Sequence, residues 1–175
     1  TENLDEFYKT FSKISTSEEH KTEITTTYNL LKKIDRGQAS PDFSFKTMDG
    51  KSVALTDLKG KIVYIDVWAT WCQPCLGEIP SLKKLEEELR GENIAFVSIC
   101  AFDQEARWRK MVPEKDLKGI QLYCENKDDA FLTGYMITGI PRFILIDAEG
   151  KIIDADADRP SNPDLKKQLM TLLGK

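Results

Sequence analysis

A chain of 175 residues, 41% hydrophobic and 31% charged, has the composition of one ordinary globular domain. It is neither a disordered segment nor a small scaffold that depends on disulfides. A net charge of −4 with no basic cluster argues against nucleic acid as a partner, and no apolar run approaches the roughly 20 residues of a membrane-crossing helix.

Along the first 39 residues, Leu4, Phe7, Tyr8, Phe11 and Ile14 recur at helical spacing, and Ile24, Tyr28, Leu31 and Ile34 do so again. Thr16-x-x-Glu19 has the form of a capping box for the second helix, which Gly37 and Ser40-Pro41 then stop. This segment reads as a helical extension packed on the domain after it, or as the tail of a preceding region. The second reading is favoured because the chain opens at Thr1 rather than Met, as if an upstream segment had been removed.

From residue 40 onward the pattern changes. Phe43-Ser44-Phe45 and Ser52-Val53-Ala54-Leu55 flank Met48-Asp49-Gly50, a hairpin signal. Ile62 to Trp68 is apolar without alternation, as in a strand covered on both faces. Leu76, Ile79, Leu82, Leu85 and Leu89 then mark a helix from about 74 to 89, with Pro80 as a kink. Ile94 to Ile99 is a second buried strand, followed by a helical segment near Arg107 to Met111 and a short strand from Ile120 to Tyr123. After a helix over 128–135, Phe143 to Asp147 and Lys151 to Ile153 form a closing hairpin, and a helix over 164–173 ends the chain. Strand–helix–strand followed by a hairpin and a helix predicts an α/β fold. Its sheet is expected to be mixed but mainly parallel, with helices on both faces.

The chemistry concentrates where the first buried strand ends, at Trp71-Cys72-Gln73-Pro74-Cys75. Two intervening residues bring both sulfurs into one helical turn. At a helix start, unpaired N–H groups and the macrodipole favour a thiolate, so Cys72 is the expected nucleophile, exposed, with Cys75 shielded as the resolving thiol. A zinc site would want a second pair of ligands at short spacing, which Cys100, Cys124 and the single histidine, His20, do not supply. Asp66 interrupts the apolar strand six positions before Cys72. It is either a carboxylate pointing to solvent at a strand edge or a buried acid of raised pKa that exchanges protons with Cys75. Glu78 lies one turn beyond Cys75, facing the redox pair or pairing with a nearby lysine. Cys100 and Cys124 each end a predicted strand. They read as two buried thiols, with a second disulfide as the rival. Asp154-Ala155-Asp156-Ala157-Asp158 imitates a calcium loop, but Arg159 and Leu165 stand where glycine and glutamate are needed, so it reads as a solvated strand end.

Residues from about 41 to 175 resemble the thioredoxin superfamily, and within it the TlpA-like thiol–disulfide oxidoreductases of bacterial envelopes. The resemblance rests on Ser40-Pro41-Asp42-Phe43, Asp49-Gly50-Lys51, Leu58-Lys59-Gly60-Lys61, Trp68 to Cys75 and Gly139-Ile140-Pro141, in that order. It implies a thioredoxin-like three-layer domain over 40–175, with residues 1–39 outside it. It also implies a cis Ile140–Pro141 bond lying against the cysteines, and an acid at Asp66 near them. Trp71, Ile140, Pro141 and Arg142 are then the substrate-facing residues, Arg142 standing where the family usually has threonine. The implied function is exchange of a Cys72–Cys75 dithiol or disulfide with protein substrates and an upstream electron donor, as a reductant in the periplasm or cell envelope. Neither cofactor nor metal is called for. Two rivals come from other classes. A peroxidase is suggested by the opening hairpin, which this branch shares with peroxiredoxins, although Trp68-Ala69-Thr70-Trp71-Cys72 lacks the Pro-x-x-x-Thr/Ser-x-x-Cys approach. A copper-binding module would have to recruit His20.

Overall fold

In the computed structural model, which describes residues 2–175, seven strands form one sheet in the order β2-β1-β5-β4-β3-β6-β7. Thr1, where the expected extension begins, lies outside the described residues. The elements in chain order are α1 (Glu2–Ile14), α2 (Glu18–Lys33), β1 (Ser44–Thr47), β2 (Ser52–Ala54), a 3₁₀ turn (Leu55–Leu58), β3 (Ile62–Trp68) and α3 (Gln73–Glu88). β4 (Ile94–Cys100), α4 (Glu105–Glu114), β5 (Ile120–Tyr123), α5 (Ala130–Gly134), β6 (Arg142–Ile146), β7 (Ile152–Asp154) and α6 (Pro163–Leu172) complete the chain.

β3 is central because it can be covered on both sides. Its side chains alternate: Val63, Ile65 and Val67 enter one core with Phe43, Phe45, Phe131 and Tyr135, whereas Ile62 and Tyr64 enter another with Leu82, Leu85, Leu165 and Leu169. The first core lies under α5 and the end of α2, the second under α3 and α6. Asp66 and Trp68 continue the Tyr64 row, so period 2 places Asp66 on the face covered by α3. A third cluster, at the carboxyl ends of β3 and β4, holds Trp68, Cys72, Cys75, Cys100, Trp108 and Val112.

The sheet is mixed, but the expectation that it is mainly parallel is corrected. Only β3–β4 and β4–β5 run parallel, and the other four pairings are antiparallel. Parallel neighbours need a helical crossover, and only α3 and α4 provide one; the hairpins at both edges and the return of β6 beside β3 reverse direction. The cap of α2 also differs by one residue. Ser17, not Thr16, is the N-cap, its hydroxyl accepting from the His20 N–H at 3.4 Å. α1 and α2 pack on each other through stacked Tyr8 and Tyr28, with Asp5 accepting from Tyr28 Oη at 2.6 Å and Lys32 Nζ at 3.0 Å. Leu31 and the buried Ile34 enter the first core, and the chain then bonds to β7 through Gly37 N–H to Ile152 O and Ile152 N–H to Gln38 O. Ile34 thus joins the first core although it lies within residues 1–39.

Candidate redox site

Cys72 is the N-cap of α3 and is disulfide-bonded to Cys75, with Cα atoms 5.2 Å apart. Its Sγ accepts from the Cys75 backbone N–H at 3.2 Å, while its carbonyl accepts from Leu76 N–H at 3.0 Å. One of the four N–H groups that a helix start leaves unpaired therefore points at this sulfur, where negative charge is favoured. Pro74 fits the first turn because it has no N–H to leave unpaired.

The expected difference in exposure between the cysteines is corrected. Cys72 is 3% exposed and Cys75 4%, because Trp68, Ala69, Trp108 and Ile140 pack around the closed disulfide. What the surface presents instead is Trp71, 53% exposed. Its indole Nε1 donates to Phe102 O at 3.0 Å, and the adjacent Thr70 N–H donates to Asp103 Oδ2 at 2.6 Å. Phe102 holds a φ of 58°, sparsely populated for a residue with a side chain, so this loop keeps a strained turn while bracing the segment that enters the disulfide. Tyr123 Oη donates to Asp103 O at 2.7 Å, and Asp103 Oδ1 accepts from Gln104 N–H at 2.7 Å. Asp103 escaped sequence reasoning because its partner Thr70 is 33 residues away, and no local pattern marks such a contact.

On the opposite side, Asp66 and Cys75 line one narrow cleft beneath α3, together with Trp68, Ile79, Leu82 and Glu86. Asp66 keeps a partial opening to that cleft, yet its carboxyl lies deep enough for burial to push its pKa up to about 8, and the negative Glu78 and Glu86 add to the rise. Glu86 is pushed up to about 7, mainly by burial, against the opposing pull of Lys83 and Lys118. Glu86 was not singled out from the sequence, although a signal existed. Cys75, Ile79, Leu82 and Glu86 follow the i, i+4, i+7, i+11 spacing of one helix face, so the acid stands on the stripe that faces Asp66.

Glu78 follows neither expected course. Its carboxylate accepts from Ser161 N–H and Oγ, both at 2.9 Å, tying α3 to the turn before α6. Its charge adds to the raised pKa of Asp66, and among the described residues it pairs with no lysine. The Ile140–Pro141 bond is cis, and Ile140 packs against the cluster holding both cysteines. The Arg142 guanidinium donates to Ala155 O at 3.3 Å and pairs with Asp156 at 3.2 Å. Cys100, the last residue of β4, and Cys124, just past the end of β5, are buried free thiols, with Cys124 N–H donating to Cys100 O at 2.9 Å. Burial raises both thiol pKa values, that of Cys124 to about 12. His20 is exposed on α2, and among the described residues no three His, Cys, Asp or Glu side chains gather as a metal site. No helix there is long and apolar enough to cross a membrane.

A family model for redoxins matches residues 35–169. The thiol–disulfide oxidoreductase ResA of Bacillus cereus is 30% identical over 122 residues, spanning 70% of this chain and 69% of its own. A Bacteroides vulgatus solution structure described as a thiol–disulfide oxidoreductase superposes with a TM-score of 0.70 at 51% identity, covering 76% of this chain and 87% of that one. A Chlorobium tepidum crystal structure described as the thiol:disulfide interchange protein DsbE gives 0.71 at 25% identity, covering 81% and 99%. With the α/β architecture and the helix-capping cysteine already placed, these matches identify the chain as a redoxin of the thioredoxin superfamily, in its TlpA-like branch.

Proposed function

We propose that this protein is a thiol–disulfide oxidoreductase that reduces disulfides of protein partners in the bacterial periplasm or cell envelope and is itself re-reduced by an upstream donor. The observation that carries the reading is the Cys72–Cys75 pair at the start of α3, with the Cys72 sulfur held by a helix N–H and Asp66 in the same cleft as Cys75. In the reduced protein Cys72 reacts as thiolate with a substrate disulfide, forming a mixed disulfide and releasing one substrate sulfur. Asp66 takes the Cys75 proton. The Cys75 thiolate then attacks Cys72 Sγ, closing the intramolecular bond and releasing the second substrate sulfur.

Ile140 offers backbone groups to an extended substrate segment beside Pro141, and exposed Trp71 supplies apolar contact. Arg142 flanks this surface, held by Ala155 and Asp156. Glu78 tunes Asp66 by its charge. Residues 40–175 form the redox domain, and residues 1–39 precede it as a helical extension. The ResA and DsbE descriptions support the exchange chemistry.

The test is reduction of a disulfide-bonded reporter protein by a dithiol, with and without this protein, joined to the reduction potential of the pair against glutathione. Wild type should accelerate reduction, Cys72→Ser should abolish the acceleration, and Cys75→Ser should accumulate the mixed disulfide. Retained acceleration in Cys72→Ser overturns the assignment. A potential more positive than glutathione's overturns the reductant direction alone.

A further inference from the structure

Among the described residues, four buried side-chain polar atoms lack a hydrogen-bond partner, and three of them belong to residues lining the Asp66–Cys75 cleft: Trp68 Nε1, Glu86 Oε2 and Gln121 Oε1. Buried polar atoms are nearly always paired, so such a concentration in one place marks a site for a polar occupant. The cleft leaves about 10 Å³ for the centre of a water molecule, room for about one water. A water there can accept from Trp68 Nε1 and donate to two of the facing oxygens.

Glu86 also lines a second, open groove on its other side, with Lys61, Glu87, Arg90, Glu92 and Lys118. The carboxyl therefore stands between the inner cleft and solvent. Its Oε1 lies over Gly119, where a Cβ would come within 2.7 Å of it and within 2.8 Å of the Phe96 carbonyl oxygen, so the carboxyl sits close against the backbone at this divide.

We propose that Glu86 is the proton-exit residue of the redox site, passing the proton that Asp66 takes from Cys75 through one bridging water to the outer groove. It touches neither sulfur and acts through Asp66, so it is a positioning residue for proton transfer. The inference rests on the reading of Cys72–Cys75 as the exchanging pair. Each turnover balances. The mixed disulfide between Cys72 and the substrate plus the Cys75 thiol gives the Cys72–Cys75 disulfide, the substrate thiolate and one proton. An electron pair passes to the departing substrate sulfur as the new S–S bond forms and the old one breaks. The proton moves from Cys75 Sγ to Asp66, from Asp66 to Glu86 through the water, and from Glu86 to the groove.

The groups facing Glu86 support this order. Asp66 on β3 is the like charge across the cleft, while Lys83 on α3 and Lys118 in the segment before β5 are the cations beside it. With Asp66 near 8 and Glu86 near 7, the outward step runs only slightly uphill and is drawn forward by release of the proton from Glu86 to the groove, and both groups titrate within reach of neutral pH.

The experiment measures single-turnover resolution of the mixed disulfide between pH 5 and 9, in the full chain, for wild type, Glu86→Gln, Glu86→Asp and the exposed neighbour Glu87→Gln. Carboxyl ¹³C NMR titration of Asp66 accompanies it. Glu86→Gln should slow resolution about tenfold near pH 7, less than the roughly 10²–10⁴-fold of a direct base, and remove the inflection near pH 7. Glu86→Asp should restore most of the rate, and Glu87→Gln should match wild type. Asp66 should titrate in two coupled steps in wild type and in one step at lower pH in Glu86→Gln, because a like charge is gone. An unchanged pH profile in folded Glu86→Gln, or an equal change in Glu87→Gln, overturns the proposal. Should Glu86→Gln fail to fold, a single uncoupled Asp66 step in wild type overturns it equally. A chain that exchanges no disulfide would refute the functional reading, whereas the Asp66 titration would still report the coupling.

Discussion

Replacing Asp66 by Asn asks the most of the site, because one change should weaken the chemistry and strengthen the fold. In the unfolded chain the carboxyl ionises near 3.8, and in the folded protein near 8. Between those values the folded state holds the extra proton, so stability falls as pH rises from about 4 to about 8 and is level outside that window. At about 1.4 kcal/mol per pH unit, the buried acid costs on the order of 4 kcal/mol by pH 7. Asn carries no such cost, but its amide must find partners in the cleft, a fixed penalty of about 1–3 kcal/mol at every pH. Asp66→Asn should therefore be destabilising near pH 4, cross over between about pH 4.5 and 6, and be stabilising by about 1–3 kcal/mol at pH 7. The pH 7 gain corresponds to a rise of several degrees in melting temperature for a domain of this size. Denaturant unfolding of wild type and variant at half-unit pH steps measures the difference. Resolution of the mixed disulfide should slow by about 10²-fold or more. A stability difference that stays constant from pH 4 to 8 would refute the placement of Asp66 as a buried acid, and an unchanged resolution rate would remove it from the chemistry.

The cysteines give two more expected outcomes. Reduced protein alkylated at mildly acidic pH should be labelled first at Cys72, whose sulfur faces a helix N–H, while preferential labelling of Cys75 would reverse the roles. Replacing Cys100 and Cys124 together by Ser should leave exchange activity largely intact, since both thiols are buried with raised pKa values; loss of activity in a folded double variant would reveal a relay between the pairs.

Local chemistry made much of this protein legible. The apolar run Ile62 to Trp68 read as a doubly covered strand, and the helix behind Cys72 announced itself through Leu82 and Leu85 at helical spacing. A cysteine at the junction of such a strand and helix has its sulfur beside a helix N-terminus whatever the remainder of the chain does. The hairpin signals around Asp49-Gly50 and Glu149-Gly150 placed the outer strands for the same reason, since turn geometry is settled within four residues.

Contacts between distant segments were decided by packing alone. Asp66 has one position in the chain but two possible environments, and only the covering of that sheet face by α3 made it a buried acid of raised pKa. Whether Glu78 would face the cysteines depended on Ser161, 83 residues away, whose N–H and hydroxyl took both carboxylate oxygens. Arg142 turned to Asp156 because β6 and β7 lie side by side, and Cys72 became buried because Trp108 and Ile140 close over the disulfide from other parts of the chain. Hydrophobic period and helix capping act over a few residues and can be read from the sequence. Desolvation and charge depend on everything that arrives within a few ångströms, and that is set only when the sheet order brings separate segments together.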